Sequence, residues 1–402
     1  MEAVVRKAPH PVVYTVLYFP FGALGGFVGV ALTFMAKSHG LDIGQASLLN
    51  GAQMLISWLK WLWAPAVDVT LTPKRWYVIS TSASAIGVFA MAVMPLSVET
   101  LPVFLAVIAT ASFFNSMVGM SIEAMMAECT PESEQGRVGA WFQAGNLGGN
   151  GFGGGLGLLL LTTYADTRVA GVVMGATFMA CCLALPFVKG GGAAHRAESL
   201  GHAVRGVVVQ LREMMQTPGG RLAGLLCFLP ISTGAAQGLL AQEGVAAYWH
   251  AGAKDVAMIQ GFGAGVITAF GCFIGGWLCD RFHPRLAYAG IGAAMAACAL
   301  GMAVGPATVS MYLFWNIVYS LLVGLAYAAF TALVLNAIGT GSGATKYNIF
   351  ASLSNFPLWW LGLLLGQAAE MHGAAAMMAA EGVLGVFGVL LFAFVSRRFA
   401  AR

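Results

Sequence analysis

The sequence predicts an all-α integral membrane protein, built from twelve transmembrane helices in two pseudo-symmetric six-helix halves. The first observation behind this prediction is composition. Charged residues make up 9% of the 402 residues and hydrophobic residues 59%, whereas a soluble domain carries about 25% charged residues. Mean hydropathy is +0.80. The net charge of +4 forms no basic stripe, so the composition also excludes a nucleic-acid-binding protein, a disordered chain and a disulfide-stapled secreted domain.

The second observation is the number of apolar stretches. A helix that crosses a bilayer needs about 20 predominantly apolar residues, and short polar or Gly/Pro turns divide this chain into twelve such stretches. They cover residues 12–36, 43–67, 76–96, 101–128, 137–161 and 168–188 in the first half, and 220–243, 255–279, 284–304, 308–338, 345–367 and 374–395 in the second. The first stretch follows Arg6 and Lys7, but it is too long for a signal peptide and has no clear small-residue cleavage site. We therefore expect it to be an uncleaved helix.

The third observation is the placement of positive charge. With twelve spans, 16 of the 20 Lys and Arg residues fall on one side of the membrane. The positive-inside rule then places both termini in the cytoplasm and makes the chain a multi-pass protein of the inner (plasma) membrane. One miscounted span would scramble this asymmetry, so the asymmetry supports the count of twelve.

The chain is also an internal duplication. Residues 189–219 form a Gly-rich cytoplasmic linker that leads into an amphipathic helix, and they separate an N-terminal bundle, residues 1–188, from a C-terminal bundle, residues 220–402. Residues 18–22 (YFPFG) match residues 228–232 (FLPIS) at an offset of 210. Parallel six-helix repeats are typical of secondary transporters, whose substrate site lies near the membrane midplane between the repeats.

Four segments resemble a known family. Residues 276–285 (GWLCDRFHPR) resemble the cytoplasmic loop signature of the major facilitator superfamily, and residues 63–68 repeat it in degenerate form. Residues 58–68 (WLKWLWAPAVD), 122–128 (IEAMMAE) and 344–355 (ATKYNIFASLSN) are similar to the branch that holds muropeptide permeases, acetyl-CoA transporters and siderophore importers. The resemblance implies the major facilitator fold and uptake driven by the proton gradient. The sequence differs from muropeptide members at Val118, Gly119 and Met126.

Two ionisable residues lie clearly inside the predicted spans. Charges at this depth cost several kcal/mol unless they are paired or wetted, so they are functional candidates by default. We predict that Lys60 and Glu123 form an ion pair that faces the central cavity. A substrate anion that takes over Lys60 would then release Glu123 to accept a proton. The alternatives are that the pair fastens span 2 to span 4, or that Lys60 reaches the cytoplasmic interface.

A second set of charges lies where loops meet the predicted cytoplasmic face. The family resemblance assigns them to the gate that holds the outward-open state, and plain cytoplasmic anchoring is the alternative. These residues are Asp68, Arg75, Glu128, Arg137, Asp280, Arg281, Arg285 and Lys346.

Uncharged polar residues inside the spans are candidates for lining the solute cavity. Gln143, Asn146 and Asn150 are three to four residues apart, so they share one face of a glycine-rich helix. The others are Asn115, Gln237, Asn316, Asn336, Ser352 and Asn355. A lone amide in a span is as often an interhelical hydrogen bond as a ligand contact. Trp58, Trp61 and Trp63 are expected to belong to an aromatic belt at the cytoplasmic interface.

No nucleotide-binding loop, serine-hydrolase motif or Cys/His constellation is present, so we expect neither enzymatic activity nor a metal or other cofactor. The leading prediction is a monomeric, proton-coupled transporter. It would move a small anionic or amphiphilic solute, peptide-, siderophore- or acyl-like, by alternating access in the bilayer. A drug or metabolite efflux antiporter is the first alternative, and a non-transporting sensor or assembly factor is the second.

Overall fold

The computed structural model describes residues 10–64, 70–129, 135–188, 200–338 and 349–400. Within these ranges the chain is helical. The first part contains α1 (Val12–Met35), α2 (Ile43–Leu59), α3 (Pro73–Val93), α4 (Leu101–Cys129), α5 (Gln135–Thr163), α6 (Arg168–Phe187) and α7 (Leu200–Gln216). The second part contains α8 (Pro218–Leu226), α9 (Ala236–Leu240), α10 (Glu243–Ala246), α11 (Ala253–Arg281), α12 (Pro284–Val304), α13 (Val309–Ile338), α14 (residues 349–372) and α15 (residues 374–400).

Eight stretches of the described chain are long and apolar enough to cross a membrane. The last of them covers 49 residues, which is about 73 Å at 1.5 Å per residue and more than twice the thickness of a bilayer core. Gly373 divides it, because its φ of 85° and ψ of 173° interrupt the helix. The all-α membrane fold is therefore confirmed, while the count of twelve crossings stays a prediction.

Helix starts are set by local capping. Asp42 accepts a hydrogen bond from the Gln45 backbone N–H (2.5 Å), and the Gln45 side chain accepts one from the Asp42 N–H, which closes a capping box at the start of α2. Thr72 caps α3, and Pro73 occupies its first turn, where a missing N–H costs nothing. This cap starts the helix three residues before the predicted position of 76.

The seventh predicted span, residues 220–243, is not one continuous helix. Residues 227–235 between α8 and α9 are non-helical. Pro230 cannot donate a backbone hydrogen bond, and Ser232 (φ 55°) and Gly234 (φ 70°) adopt left-handed backbone. The matching Pro20 in the first repeat stays inside its helix. The repeated proline motif is therefore helical in the N-terminal half and non-helical in the C-terminal half.

The glycines of α5 bring helices into close contact. A methyl group built on Gly153 would lie 1.9 Å from the Ala23 carbonyl oxygen of α1, and one built on Gly149 would lie 2.2 Å from the Phe19 carbonyl oxygen. Towards the C-terminal half, a methyl group on Gly155 would lie 2.7 Å from the Phe262 ring of α11. Small residues let neighbouring membrane helices approach closely. This packing makes α5 a bridge between α1 and α11.

A second bridge joins α2 to the C-terminal half. Methyl groups built on Gly51 and Gly366 would lie 2.9 Å from Leu363 and 2.5 Å from the Ser47 hydroxyl, respectively. These contacts run along α2 and α14 towards the predicted periplasmic end. The described helices therefore hold the two halves together on that side.

Candidate functional site

Lys60 lies in the 3-10 turn that follows α2, and Glu123 lies on α4 about 9 Å before the end of that helix, at 1.5 Å per residue. The Lys60 ammonium is close enough to interact electrostatically with the Glu123 carboxylate. Among the described side chains, no ion pair within 4.0 Å links Lys60 to Glu123. In this conformation Lys60 and Glu123 therefore interact electrostatically at longer range, and the direct ion pair stays a prediction.

Amide side chains meet where α1, α2, α5 and α9 come together. A methyl group built on Gly25 would lie 3.2 Å from Gln53 Nε2 and 3.3 Å from Asn150 Nδ2. One built on Gly238 of α9 would lie 2.8 Å from Asn50 Nδ2. Asn50 and Gln53 were not among the predicted site residues, although they are three residues apart in a predicted span and share a face. A spacing of three to four residues on one helix face had identified Asn150 as a candidate site residue.

The amides of the C-terminal half bond to one another. Gln260 on α11 donates to Asn316 Oδ1 on α13, and Asn316 Nδ2 donates to the Tyr312 carbonyl oxygen (2.7 Å). Gln237 Nε2 donates to the Ser320 hydroxyl (3.5 Å). Of these residues the sequence singled out Asn316 and Gln237. In this conformation their amides link helices.

The other predicted polar residues occupy different settings. Asn115 Nδ2 donates to the Phe21 carbonyl oxygen (2.9 Å), and its buried Oδ1 has no partner in the described part of the chain. Gln143 is exposed and accepts from Asn146 Nδ2 (3.3 Å). Asn355 Nδ2 donates to the Ala351 carbonyl oxygen within its own helix (3.0 Å). Ser352 is buried, and the Asn336 side chain lies outside the described residues.

Three aromatic residues form a cluster between the two halves. The Trp58 ring of α2 lies 4.7 Å from Phe356 and 6.0 Å from Trp359, both on α14. Trp63 donates instead to the Ser116 hydroxyl of α4 (2.8 Å). The rings of Trp58 and Trp63 therefore pack against neighbouring helices, and the aromatic belt at the cytoplasmic interface stays a prediction.

A buried carboxyl group that the sequence analysis did not identify lies on α15. The Glu381 Oε1 atom accepts a hydrogen bond from the Tyr319 hydroxyl of α13 (2.5 Å). The sequence signal was present, since Glu381 stands between Ala380 and Gly382 in the predicted span 374–395. The prediction that only Lys60 and Glu123 are ionisable residues within the spans is therefore wrong.

A pocket of about 270 Å³ lies at the predicted periplasmic end, between the halves. Its wall includes Lys37 and Asp42 from the N-terminal half and Gln242 and Glu370 from the C-terminal half. Glu370 Oε2 accepts a hydrogen bond from the Ile43 backbone N–H (2.6 Å). The eleventh helix was predicted to end at 367, so Glu370 was not considered a site residue.

The described residues include only part of the predicted cytoplasmic gate. Asp68 and Lys346 lie outside the described residues, as do the side chains of Glu128, Arg137 and Asp280. Arg75 is exposed in the first turn of α3. The Arg281 guanidinium lies 4.6 Å from the centre of the Trp277 ring on its own helix, and Arg285 lies in the first turn of α12. The gate stays a prediction.

This architecture defines a class of protein, a helical membrane transporter with polar groups between its two halves. The family model of the Major Facilitator Superfamily matches residues 14–366. The chain therefore belongs to the major facilitator superfamily, and it is a transporter, not an enzyme. A search of curated protein sequences gave no significant match.

Solved structures of transporters share the fold. A bacterial homologue of the human lysosomal transporter Spinster, in an inward-facing and unoccupied conformation, aligns with a TM-score of 0.73 at 14% identity, covering 97% of this chain and 96% of that chain. A POT family transporter in complex with a thioalcohol-conjugated peptide gives 0.72 at 10% identity, covering 97% and 96%. A D-xylose-proton symporter gives 0.69 at 13% identity, covering 94% and 96%. At these identities the likeness concerns the fold alone.

Proposed function

We propose that this protein is a proton-coupled importer of the inner membrane, which moves a small anionic or amphiphilic solute by alternating access. The observation that carries the proposal is the electrostatic proximity of Lys60 and Glu123 inside the N-terminal half, without a direct ion pair within 4.0 Å between these two described side chains. When a substrate anion approaches an ammonium group inside the membrane, the neighbouring carboxylate loses its compensating cation. The carboxylate can then bind a proton instead. Import, the monomeric state and the cytoplasmic position of both termini belong to the same proposal.

The amide groups between the halves support a polar solute. Gln53 of α2 and Asn150 of α5 both lie beside α1, Asn50 of α2 lies beside α1 and α9, and Gln237 lies just after the break before α9. Amides both donate and accept hydrogen bonds, so they suit the polar part of a peptide, siderophore or acyl carrier. The aromatic residues Trp58 and Trp359 offer apolar contact nearby. This combination favours an amphiphilic solute.

The direct test is uptake into proteoliposomes under an imposed pH gradient, with muropeptide, siderophore and acyl-CoA panels. We expect uptake of a member of one panel to require the gradient. Glu123→Gln is expected to lower gradient-driven uptake at least about tenfold, which corresponds to about 1.4 kcal/mol, while solute exchange without a gradient persists. Glu99→Gln is the matched control, because the same change is made at an exposed position outside the helices.

Two results would contradict the proposal. Uptake by the Glu123→Gln variant with the wild-type dependence on pH would remove Glu123 from coupling. Gradient-driven movement of solute in the opposite direction would favour the efflux antiporter. Lys60→Gln, compared with Lys254→Gln at an exposed position, tests whether the cation is needed for an anionic solute.

A further inference from the structure

The carboxyl group of Glu381 is buried with only one of its two oxygen atoms hydrogen-bonded. Oε1 accepts from the Tyr319 hydroxyl at 2.5 Å, and Tyr319 itself is 1% exposed. Oε2 is buried and has no hydrogen-bond partner within the described residues. Tyr319 lies on α13 and Glu381 on α15, both in the C-terminal half, whereas Lys60 and Glu123 lie in the N-terminal half. The mechanism proposed above does not use Tyr319 or Glu381.

The groups that face this carboxyl offer no compensating positive charge. Helix α13 contributes the Tyr319 hydroxyl, α12 the Cys298 thiol, and α9 the Ala236 backbone N–H. Among the side chains that the structure describes, no Lys, Arg or His forms an ion pair with Glu381. An ionised carboxylate buried without a cation, and with one oxygen unbonded, is far more costly than a neutral carboxylic acid.

We propose that Glu381 is a second proton-binding site, and that its ionisation is coupled to movement of the broken segment 227–235 and α9. This inference rests on the proposed function, because it assumes that protons take part in transport. In the described conformation the carboxyl is a neutral acid. The proton comes from water, binds one carboxylate oxygen and returns to water on release, and no other bond is made or broken.

The link to α9 follows from the contacts of two adjacent residues on α13. Tyr319 binds Glu381, and the next residue, Ser320, accepts a hydrogen bond from Gln237 on α9 (3.5 Å). The Ala236 N–H, one residue before Gln237, faces the same Glu381–Tyr319 pair. A change in charge at Glu381 therefore acts directly on the start of α9.

Ionisation of Glu381 needs new hydrogen-bond donors at Oε2. One source is the break before α9, where the positive φ values of Ser232 and Gly234 leave the backbone outside helical geometry. A shift of this segment towards Glu381, or entry of water beside it, would supply those donors. The same shift would move Gln237, so proton release and the geometry of the solute cavity would change together.

The test is infrared difference spectroscopy of the purified protein in lipid vesicles, recorded across pH without solute. We expect the C=O band of a buried protonated carboxylic acid to fade as pH rises in the wild type. Glu381→Gln should remove this band, while Glu123→Gln and the exposed control Glu99→Gln should keep it. Tyr319→Phe should keep the band and shift its C=O frequency, because the hydrogen bond from the Tyr319 hydroxyl to Oε1 is lost.

An unchanged band in the Glu381→Gln variant would overturn the proposal. If that variant fails to fold, Tyr319→Phe decides alone, and an unshifted C=O frequency overturns the proposal. Because the measurement needs no solute, it is independent of the proposed transport function. A wild type that shows the band but no gradient-driven uptake would contradict the proposed function and leave the proton site in place.

Discussion

Removal of the Glu370 carboxylate should loosen the predicted periplasmic end of the protein. Within α2 the capping box uses the Asp42 and Gln45 side chains on each other's backbone N–H groups. The Ile43 N–H has its partner in the other half, since it donates to Glu370 Oε2 at 2.6 Å. Glu370 is thus both a hydrogen-bond acceptor and a negative charge at the positive N-terminus of α2.

The size of the effect follows from the type of bond. The Glu370 side chain is exposed, so water screens its charge and the bond contributes about 0.5–1 kcal/mol, which corresponds to a shift of roughly twofold to fivefold in the equilibrium between closed and open forms. Glu370→Ala should lose this whole contribution. Glu370→Gln keeps an acceptor oxygen but no charge, so its shift should be smaller.

Hydrogen exchange measured by mass spectrometry in lipid nanodiscs can detect this shift. Exchange of backbone amides follows the population of open forms, so Glu370→Ala should speed exchange in residues 36–48 and also in residues 360–372. Asp42→Ala is the matched control, because it removes a cap within α2 and should speed exchange in the first segment only. Unchanged exchange in both segments of Glu370→Ala would refute the reasoning.

Two further predictions concern packing. Gly153→Ala places a methyl group against the Ala23 carbonyl oxygen and should lower stability by about 1–3 kcal/mol, seen as a lower melting temperature. Gly148→Ala, which meets nothing within 4 Å, should leave that temperature unchanged or raise it, and equal losses in the two variants would contradict the packing argument. Trp58→Ala should weaken contact with Phe356 by about 1 kcal/mol or more, measured as faster exchange in α14; wild-type exchange there would exclude Trp58 as a contact between the halves.

The sequence predicted the fold well because membrane crossing imposes strong rules. Apolar length and the placement of Lys and Arg are averages over many residues, so they tolerate local errors. Features that depend on single residues were harder to predict from the sequence. The break after α8 depends on Pro230 together with the positive φ of Ser232 and Gly234, whereas the equivalent Pro20 remains helical. Local sequence does not distinguish these outcomes, because the packing of neighbouring helices decides between them.

The candidate site shows the same contrast. Gln237 and Asn316 were identified as polar residues in apolar spans, but their partners Ser320 and Gln260 depend on which helices are neighbours. The role of Trp58 could not be read from its position near a helix end, since that position also suits an interfacial belt. Residue type and spacing identify the candidates, and tertiary packing decides what each one contacts.

The central claim is that movement of solute and movement of protons are coupled through Lys60 and Glu123. The most direct measurement is the pH inside sealed proteoliposomes, followed with a trapped dye after solute is added to the outside without any imposed gradient. The account predicts that solute entry acidifies the interior in the wild type and in Glu99→Gln, and that Glu123→Gln carries solute without this acidification. Solute entry with no pH change in the wild type, or with an equal change in Glu123→Gln, would contradict the account.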